Sequence, residues 1–215
     1  MKRTAIILAG GFSRRFGKDK GLVELAGKPL VLHVFDRICS IVDEVLVIVR
    51  SDHQKRSYSP LFPADTKIFV DVCELQSPLV GALTGFINAS GDYSVLLPCD
   101  APFVSGKVLE LLFEVSFGVD AVIPRWPNGY IEPLQAAYKT NSAVAAAKSA
   151  IQAGEVRPLS MISRLDRVRY FSTIVIDQLS SGLTTFFNIN TLADLKKAEK
   201  IVEESRNGKN RFSQR

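Results

Sequence analysis

The stretch from Leu8 to Lys20 places two adjacent glycines and several cationic side chains directly after an apolar run. Gly10 and Gly11 have no Cβ atom, so their backbone N–H groups can approach an anion closely. Arginine and lysine side chains neutralise the charge of phosphate groups and donate hydrogen bonds to them. The cations of this stretch are Arg14, Arg15, Lys18 and Lys20. These residue types in this order predict a binding site for the phosphates of a nucleotide.

Two common phosphate-binding motifs do not fit this stretch. A P-loop ends in Gly-Lys-Ser/Thr, but Gly17 is followed by Lys18 and Asp19, which supply no hydroxyl for magnesium. A dinucleotide-binding fingerprint has spaced glycines that open a helix, whereas Gly10 and Gly11 are adjacent and the residues after them stay polar. Both motifs are disfavoured, and a solvated glycine turn is the purely structural alternative.

The carboxylate of Asp100 is the strongest candidate for a metal ligand. Asp100 follows the apolar run that starts at Leu96, and Pro98 and Pro102 stiffen the turn around it. Magnesium at phosphate groups is usually held by one or two carboxylates together with phosphate oxygens. The alternative is that Asp100 caps a turn or the helix predicted near Ser105. We expect Asp100 to hold Mg²⁺.

The sequence offers little for catalysis by a side-chain nucleophile or by a histidine-bound metal. It has two histidines, His33 on a predicted helix and His53 in a polar segment, so a Ser-His-Asp set is poorly supported. The cysteines are Cys39, Cys73 and Cys99. Their odd number and the lack of a C-x-x-C pair argue against disulfides and zinc and fit a reducing cytoplasm.

Apolar segments bounded by turn residues alternate with amphipathic segments along the first half of the chain. This alternation predicts repeated βαβ units. The strands are nearly continuous Val, Ile and Leu, which favours a mostly parallel sheet with helices on both faces. We expect strands at Thr4–Leu8, Glu44–Val49, Lys67–Val72, Tyr93–Pro98 and Asp120–Pro124, and helices at Pro29–Ser40, Pro78–Ala89 and Ser105–Val115. The predicted fold class is α/β, a single three-layer Rossmann-like domain with a mostly parallel central sheet.

The carboxyl ends of these strands carry the chemically useful residues. The glycine-rich stretch follows the first predicted strand, Asp71 ends the third, and Asp100 ends the fourth. Ligands of open α/β sheets bind in the crevice outside the carboxyl ends of the strands. We therefore expect these three features to lie on one rim of the sheet.

The second half of the chain is less regular, and elaborations for a second substrate are expected here. The final helix has Thr191 as its predicted N-cap and Asp194 as the acid of a capping-box-like pair. The other predicted segments are a strand at Leu134–Tyr138, a helix at Asn141–Ala153 and extended segments at Val168–Ile176 and Thr185–Ile189.

The positive charge of the chain is concentrated at its C-terminus. The formal net charge of +5 falls to +1 without the four basic residues of segment 206–215, which contains no acid. A near-neutral body lacks the basic surface of a nucleic-acid binder, and no apolar run reaches the ~18 residues of a membrane span. We expect one domain at 1–205, a basic disordered tail at 206–215, and a cytoplasmic protein that binds neither nucleic acid nor membrane.

Several short motifs follow one another near the N-terminus. They are Leu8-Ala9-Gly10-Gly11, Arg15-Phe16-Gly17, Asp19-Lys20, Leu25-Ala26-Gly27-Lys28-Pro29-Leu30 and His33-Val34. Together they resemble the N-terminal signature of the molybdenum cofactor guanylyltransferases of the MobA type, although Phe16 replaces the usual methionine with another apolar residue. The resemblance implies a nucleotidyltransferase that uses Mg²⁺ to transfer GMP from GTP to molybdopterin, forming the guanine dinucleotide cofactor and releasing pyrophosphate.

The resemblance also implies roles for particular residues. Arg15, Lys20 and Asp100 would be catalytic, because the cations stabilise charge that develops on the phosphates and Asp100 holds the metal. The Asp71 carboxylate would accept two donors from the guanine edge, or would only cap a turn. The implied nucleotide-binding residues are Leu8, Ala9, Gly10, Gly11, Lys20, Asp71, Pro78, Leu79 and Asp100. The implied pterin-side residues are Asn188, Asn190 and Arg157.

Other parts of the chain resemble the family less closely. Ser77 stands where the family has a glycine, and serine tolerates positive φ less well. Segment 132–135 falls where the family places its substrate-side loop. Turn and capping roles explain Asn188 and Asn190 about as well as contacts to a pterin.

Several other functions are compatible with the same residues. The enzyme alternatives are a cytidylyltransferase acting on the same pterin and a guanylyltransferase acting on another phosphorylated small molecule. A nucleotide-binding protein that carries the cofactor is the non-enzyme alternative. Leu8 favours guanine, because cytidine-using relatives usually begin this motif with Ala-Ala-Gly. The implied partners are GTP and molybdopterin as substrates, with transient contacts to other cofactor-biosynthesis proteins or apo-molybdoenzymes.

Overall fold

The computed structural model describes residues 1–13, 15–71, 77–179 and 181–212. In this part of the chain the strands of the central sheet are β1 (Arg3–Leu8), β2 (Glu44–Val49), β3 (Lys67–Val70), β4 (Tyr93–Pro98), β5 (Ala121–Arg125), β6 (Ala136–Lys139) and β7 (Val168–Ser172). Their order across the sheet is β7-β5-β6-β4-β1-β2-β3. Neighbouring strands are parallel, except that β6 runs antiparallel to both β4 and β5. The predicted mostly parallel sheet is confirmed.

The helices cover both faces of this sheet. In the described residues they are α1 (Leu30–Ile38), α2 (Asp52–Tyr58), α3 (Pro78–Asn88), α4 (Gly106–Glu114), α5 (Thr140–Gln152), α6 (Pro158–Ile162), α7 (Thr173–Leu179) and α8 (Leu192–Phe212). Alternate residues of β1 pack against different helices. Ala5 and Ile7 share a core cluster with α1 and α4, whereas Ile6 packs with α3 and α5. The three-layer α/β architecture is therefore confirmed.

The start of α3 shows why serine replaces glycine at position 77. The Ser77 side chain accepts hydrogen bonds from the N–H groups of Leu79 and Val80 at 3.1 and 3.2 Å. Pro78 follows as the first helical residue, where its missing N–H costs nothing. The φ of Ser77 is −151°, so this position does not need the conformational freedom of glycine.

The last third of the chain differs from the predicted elements. Segment 168–176 was expected to be extended, but it is a strand only to Ser172 and continues as α7, which buries Ile176 in the core. Segment 185–189, also expected to be extended, begins inside a 3₁₀ helix at Ser181–Phe186. A short apolar run is compatible with strand and helix, and packing against the core decides between them.

Helix α8 begins with the predicted capping pair. The N–H and hydroxyl of Thr191 donate to Asp194 Oδ2 at 2.9 and 2.8 Å, and the Asp194 N–H donates back to Thr191 Oγ1 at 3.1 Å. The helix continues to Phe212, and 213–215 lie outside the described residues, so the domain at 1–205 and the disordered tail at 206–215 stay predictions. Extending an existing helix avoids the cost of nucleation. No helix in the described ranges is long and apolar enough to cross a membrane.

Candidate active site

A cleft of about 980 Å³ opens at the carboxyl ends of β1, β2, β3 and β4. It brings the glycine-rich stretch, Asp71 and Asp100 together on one rim of the sheet. Nine of the site residues expected from the sequence line it, namely Leu8, Gly10, Gly11, Lys20, Asp71, Pro78, Asp100, Asn188 and Asn190.

Lys20 joins two distant parts of the chain in the middle of this cleft. Its Nζ donates to Asp100 Oδ2 at 2.8 Å and to Asn190 Oδ1 at 2.7 Å. The backbone reinforces the contact, because the N–H of Ile189 donates to the C=O of Asp100 at 2.9 Å. Asp100 is only 6% exposed, so the ammonium of Lys20 compensates the charge of a nearly buried carboxylate.

The glycine-rich stretch forms a small hairpin that presents Lys20. Phe12 and Ser13 pair antiparallel with segment 18–19, and the N–H of Lys20 donates to the C=O of Gly11 at 3.0 Å. Arg15 lies exposed in the turn of the hairpin and does not line the cleft. Among the described cations of this hairpin, Lys20 is the one that lines the cleft.

Gly10 lies where the chain leaves β1 and passes closely over the end of β2. A Cβ atom on Gly10 would lie 3.3 Å from both the N and the Cβ of Arg50. Glycine permits this close approach of two backbones. Arg50 itself lines the cleft. Its sequence context, a single cation directly after an apolar strand, is the only signal that could have identified it.

Helix α2 holds both ends of the hairpin through two side chains one turn apart. The Tyr58 hydroxyl donates to the C=O of Ala9 at 3.4 Å and accepts from the N–H of Gly21. The Gln54 amide donates to Asp19 Oδ1 at 2.8 Å and accepts from the N–H of Arg50 at 2.7 Å. These contacts fix where the hairpin leaves the sheet and where it returns.

Asp71 lies at one end of the cleft in an apolar setting. Its N–H donates to the C=O of Val49 at 2.9 Å, and Thr84 forms a hydrogen bond with its carboxylate. Its Oδ1 atom is buried and accepts no hydrogen bond from the described residues. Burial raises the pKa of this carboxyl from 3.8 to about 6, against the smaller opposing effects of Thr84 and Arg50. A Cβ on Gly81 would lie 3.4 Å from Oδ1, so helix α3 packs directly beside the carboxylate.

The opposite end of the cleft contains residues from the connection between β5 and β6. Glu132 lines it and accepts a hydrogen bond from Trp126 Nε1 at 2.7 Å. Burial raises the pKa of Glu132, although the hydrogen bond from Trp126 opposes this effect. Asn188 also lines this cleft, and its buried Oδ1 accepts no hydrogen bond within the described ranges.

Besides Arg15, three expected site residues do not line the cleft. Ala9 and Leu79 are completely buried in the core clusters, and the N–H of Ala9 is already used by the C=O of Ile48 at 2.8 Å. Arg157 is exposed beside Pro158, which does line the cleft. Arg14 lies outside the described residues, so the structure places Lys20 but not Arg14.

Asp100 is the metal-ligand candidate that the sequence predicts for the cleft. No group of three or more His, Cys, Asp or Glu side chains that could hold a metal occurs in the part of the chain that the structure describes. Asp100 uses Oδ2 for Lys20, which leaves its other oxygen without a hydrogen bond from those residues. A single carboxylate fits a divalent cation whose other ligands are phosphate oxygens and waters.

Comparison with known proteins identifies close relatives along nearly the whole chain. The "Probable molybdenum cofactor guanylyltransferase" of Natronomonas pharaonis is 32% identical over 198 residues, which cover 92% of this chain and 96% of that protein. The protein of the same name from Pyrococcus horikoshii is 34% identical over 205 residues, which cover 91% of this chain and 98% of that protein.

A solved structure and a family model agree with these relatives. Molybdopterin-guanine dinucleotide biosynthesis protein A from Archaeoglobus fulgidus has a TM-score of 0.81 and 30% sequence identity, over 94% of this chain and 99% of that chain. A model of the MobA-like NTP transferase domain matches residues 5–168, from within β1 to the first residue of β7. The resemblance of the N-terminal motifs is thereby confirmed, and the chain belongs to the MobA-like NTP transferase family, among the molybdenum cofactor guanylyltransferases.

Proposed function

We propose that this enzyme transfers GMP from GTP to molybdopterin and releases pyrophosphate, forming the guanine dinucleotide form of the molybdenum cofactor. The observation that carries the proposal is the contact of Lys20 with Asp100 and Asn190 in the cleft that also contains Asp71. This arrangement provides a cation and a carboxylate for phosphates, with a second carboxylate for a base at some distance from them.

The reaction needs no side-chain nucleophile. An oxygen of the terminal phosphate of molybdopterin attacks the α-phosphorus of GTP, and the bond from the α-phosphorus to the bridging oxygen breaks. Pyrophosphate leaves with that electron pair. The Lys20 ammonium has three N–H donors, and two of them contact Asp100 and Asn190. The third can donate to a phosphate oxygen and stabilise negative charge without either contact being lost.

The setting of Asp71 supports GTP as the nucleotide. Guanine presents a ring N–H and an exocyclic amino group side by side, and a carboxylate can accept from both. Cytosine presents one amino group beside acceptor atoms. These acceptor atoms would face the carboxylate oxygens and repel them. The buried Oδ1 of Asp71, which accepts no hydrogen bond from described residues, is suited to a ligand with two donors.

We assign the metal of this reaction as Mg²⁺, with Asp100 as its protein ligand. Mg²⁺ is commonly bound by one or two carboxylates together with substrate phosphates, which matches Asp100 as the cleft carboxylate beside Lys20. When bound, it would neutralise charge on the α-phosphate and on the departing pyrophosphate. Lys20 holds the Asp100 side chain in place from the other oxygen.

On the acceptor side we assign Asn188 and Asn190 to contacts with molybdopterin, and the exposed Arg157 to its phosphate. The support for Asn188 is its buried Oδ1, which accepts no hydrogen bond in the described ranges. Asn190 has a further role, because its Oδ1 already accepts from Lys20. Arg15, in the exposed turn of the hairpin, would reach the phosphates only if the turn moved towards them.

Pyrophosphate release tests the proposal directly. The enzyme is incubated with Mg²⁺ and molybdopterin, with either GTP or CTP, and pyrophosphate is measured. We expect release with GTP and little with CTP. Release with CTP alone would overturn the guanine assignment, and nucleotide binding without release from either would indicate a cofactor carrier instead.

The variant Asp100→Asn tests the role of the carboxylate. We expect turnover to fall on the order of 10²-fold or more, because the charge that holds the metal is removed, while GTP binding is largely kept. Asp36→Asn is the matched control, since Asp36 contacts Lys28 on the surface, and its turnover should equal that of the unmodified enzyme. Unchanged turnover in Asp100→Asn would remove Asp100 from the mechanism.

A further inference from the structure

The end of the cleft opposite Asp71 contains polar groups whose hydrogen-bonding capacity the fold leaves unused. Glu132 accepts from Trp126 through Oε1, and its other carboxylate oxygen accepts no hydrogen bond in the described ranges. Gln135 also lines the cleft and is only 3% exposed, yet its side-chain amide has no hydrogen-bond partner among those residues. Both side chains therefore have hydrogen-bonding capacity left for a ligand in the cleft.

Backbone contacts hold Glu132 rigidly at this position. The N–H of Trp126 donates to the C=O of Tyr130 at 2.8 Å, and the N–H of Glu132 donates to the C=O of Pro124 at 3.0 Å. The segment is therefore a hairpin in which Trp126 lies opposite Tyr130, and the side chains of Trp126 and Glu132 meet diagonally through their hydrogen bond. No lysine or arginine forms an ion pair with Glu132 in the described part of the chain. The free oxygen of this half-buried carboxylate is therefore available to N–H donors of a ligand.

The reversed direction of β6 brings this segment to the catalytic rim. Ala136, the first residue of β6, lies opposite Leu96 of β4, so segment 132–135 lies beside the carboxyl end of β4, next to Asp100. Asp71 follows β3, which is four strands away from β6 in the sheet. At about 4.8 Å per strand this is about 19 Å. Lys20 and Asp100 lie between the two ends of the cleft.

The two substrates of the proposed reaction share one chemical feature. Guanine and pterin both contain a 2-amino-4-oxopyrimidine ring, so each presents a ring N–H beside an exocyclic amino group. We propose that Glu132 is a specificity residue that binds this 2-amino edge of the acceptor's pterin ring, with Gln135 contacting the same ring. The inference rests on the proposed function. It makes Glu132 the counterpart, on the acceptor side, of Asp71 on the nucleotide side.

Trp126 provides a direct binding signal for a test. It is the only tryptophan of the chain and donates to Glu132, so its fluorescence reports on a ligand at that carboxylate. The probes are 6-(hydroxymethyl)pterin monophosphate and the corresponding lumazine, in which a carbonyl replaces the 2-amino group. We expect the enzyme to bind the pterin about tenfold or more tightly than the lumazine, because one charge-assisted hydrogen bond is lost and an acceptor faces the carboxylate.

Glu132→Gln is the informative variant. Its amide oxygen can still accept from Trp126, so the hairpin is kept, but its amino group no longer accepts from the ligand. We expect this variant to bind pterin and lumazine with about equal affinity, while its affinity for GTP stays unchanged. Glu155→Gln is the control, since Glu155 pairs with Arg164 on the surface, and it should keep the full preference.

Three outcomes would overturn the inference. They are equal binding of pterin and lumazine by the unmodified enzyme, an undiminished preference in Glu132→Gln, and a parallel loss of GTP affinity that would indicate a structural role. Pyrophosphate release from GTP with molybdopterin separates this inference from the proposed function. If release occurs while the pterin preference is absent, the function stands and the role of Glu132 fails. If no release occurs, the proposed function fails.

Discussion

The two aspartates of the cleft have opposite electrostatic settings. Asp100 is paired with Lys20 at 2.8 Å, whereas Asp71 has no ion pair among the described residues and its pKa is raised to about 6 by burial. The setting of Asp100 suits a metal ligand, whereas a carboxylate in an apolar setting is stabilised when a ligand brings donors to it. The same residue type is therefore suited to two different purposes in one cleft.

The raised pKa of Asp71 predicts a pH dependence of both stability and binding. The folded chain holds the Asp71 proton more tightly than the unfolded chain, so Asp71 contributes stability below about pH 4 that is lost as the pH rises to about 6. GTP affinity changes in the other direction, because the ionised carboxylate accepts the guanine donors. We expect GTP to bind about tenfold more weakly at pH 5 than at pH 7, measured by titration calorimetry.

Asp71→Asn is the control for this pH dependence. The variant keeps the shape of the side chain but does not titrate, while the phosphates of GTP titrate as before. Its GTP affinity should be weaker at pH 7 and should change less between pH 5 and 7 than that of the unmodified enzyme. Equal pH profiles for the two proteins would show that Asp71 does not bind the base.

At the level of secondary structure, α2 determines the position of the hairpin that carries Lys20. Tyr58 contacts the backbone at Ala9 and at Gly21, before and after the hairpin. Tyr58 and Gly21 are in close contact, since a Cβ on Gly21 would lie 2.5 Å from the Tyr58 hydroxyl oxygen. A short, mostly polar helix thus positions the hairpin that carries Lys20.

This packing predicts strong coupling between Gly21 and Tyr58. Gly21→Ala should destabilise the fold by about 1–3 kcal/mol through overpacking, measured by urea unfolding. In a Tyr58→Phe background the same change should cost clearly less, because the closest contact is with the hydroxyl. The double-mutant cycle then gives a coupling energy different from zero.

The control pairs Gly21→Ala with Tyr138→Phe. Tyr138 is also buried and donates its hydroxyl hydrogen bond elsewhere, to the C=O of Pro133 at 2.8 Å. These two changes should be additive. Additivity in the Tyr58 pair as well would show that the backbone at Gly21 shifts away and that α2 does not fix the hairpin.

The strands and the motifs of this chain could be predicted from its sequence, but the contacts that support the site could not. β2 and β4 match the predicted ranges because long runs of Val, Ile and Leu between turn residues have few alternatives. α2 and α6 span seven and five residues, too few for a helical period to emerge. Gln54 and Arg50 carry no motif of their own, and the side-by-side pairing of β1 with β2 brings them close to the hairpin.

At the scale of the whole molecule, the cleft connects parts of the chain that are far apart in sequence. Lys20 and Asn190 are 170 residues apart and in direct contact. The other contributions come from the ends of β3 and β4 and from the connection before β6. A ligand that contacts several of these parts stabilises the whole domain, since it binds only when they are assembled.

Thermal unfolding in the presence of nucleotides tests this coupling. At a free concentration of about 100 times its Kd, GTP with Mg²⁺ should add about 2.7 kcal/mol to the free energy of unfolding, or about 5–10 °C in Tm for a chain of this size. CTP at the same concentration should add much less. Equal stabilisation by both nucleotides would contradict selection of guanine at Asp71.

The antiparallel direction of β6 has a consequence for how such enzymes diverge. Because β6 begins at the rim where β1, β3 and β4 end, the segment before it lies where we propose the acceptor to bind, while the residues proposed for the nucleotide follow β1, β3 and β4. In this proposal the two substrates contact separate stretches of chain. Mutations that remodel 126–135 can change the acceptor without disturbing the nucleotide half, so one scaffold can give rise to transferases that share a donor and differ in the molecule they modify.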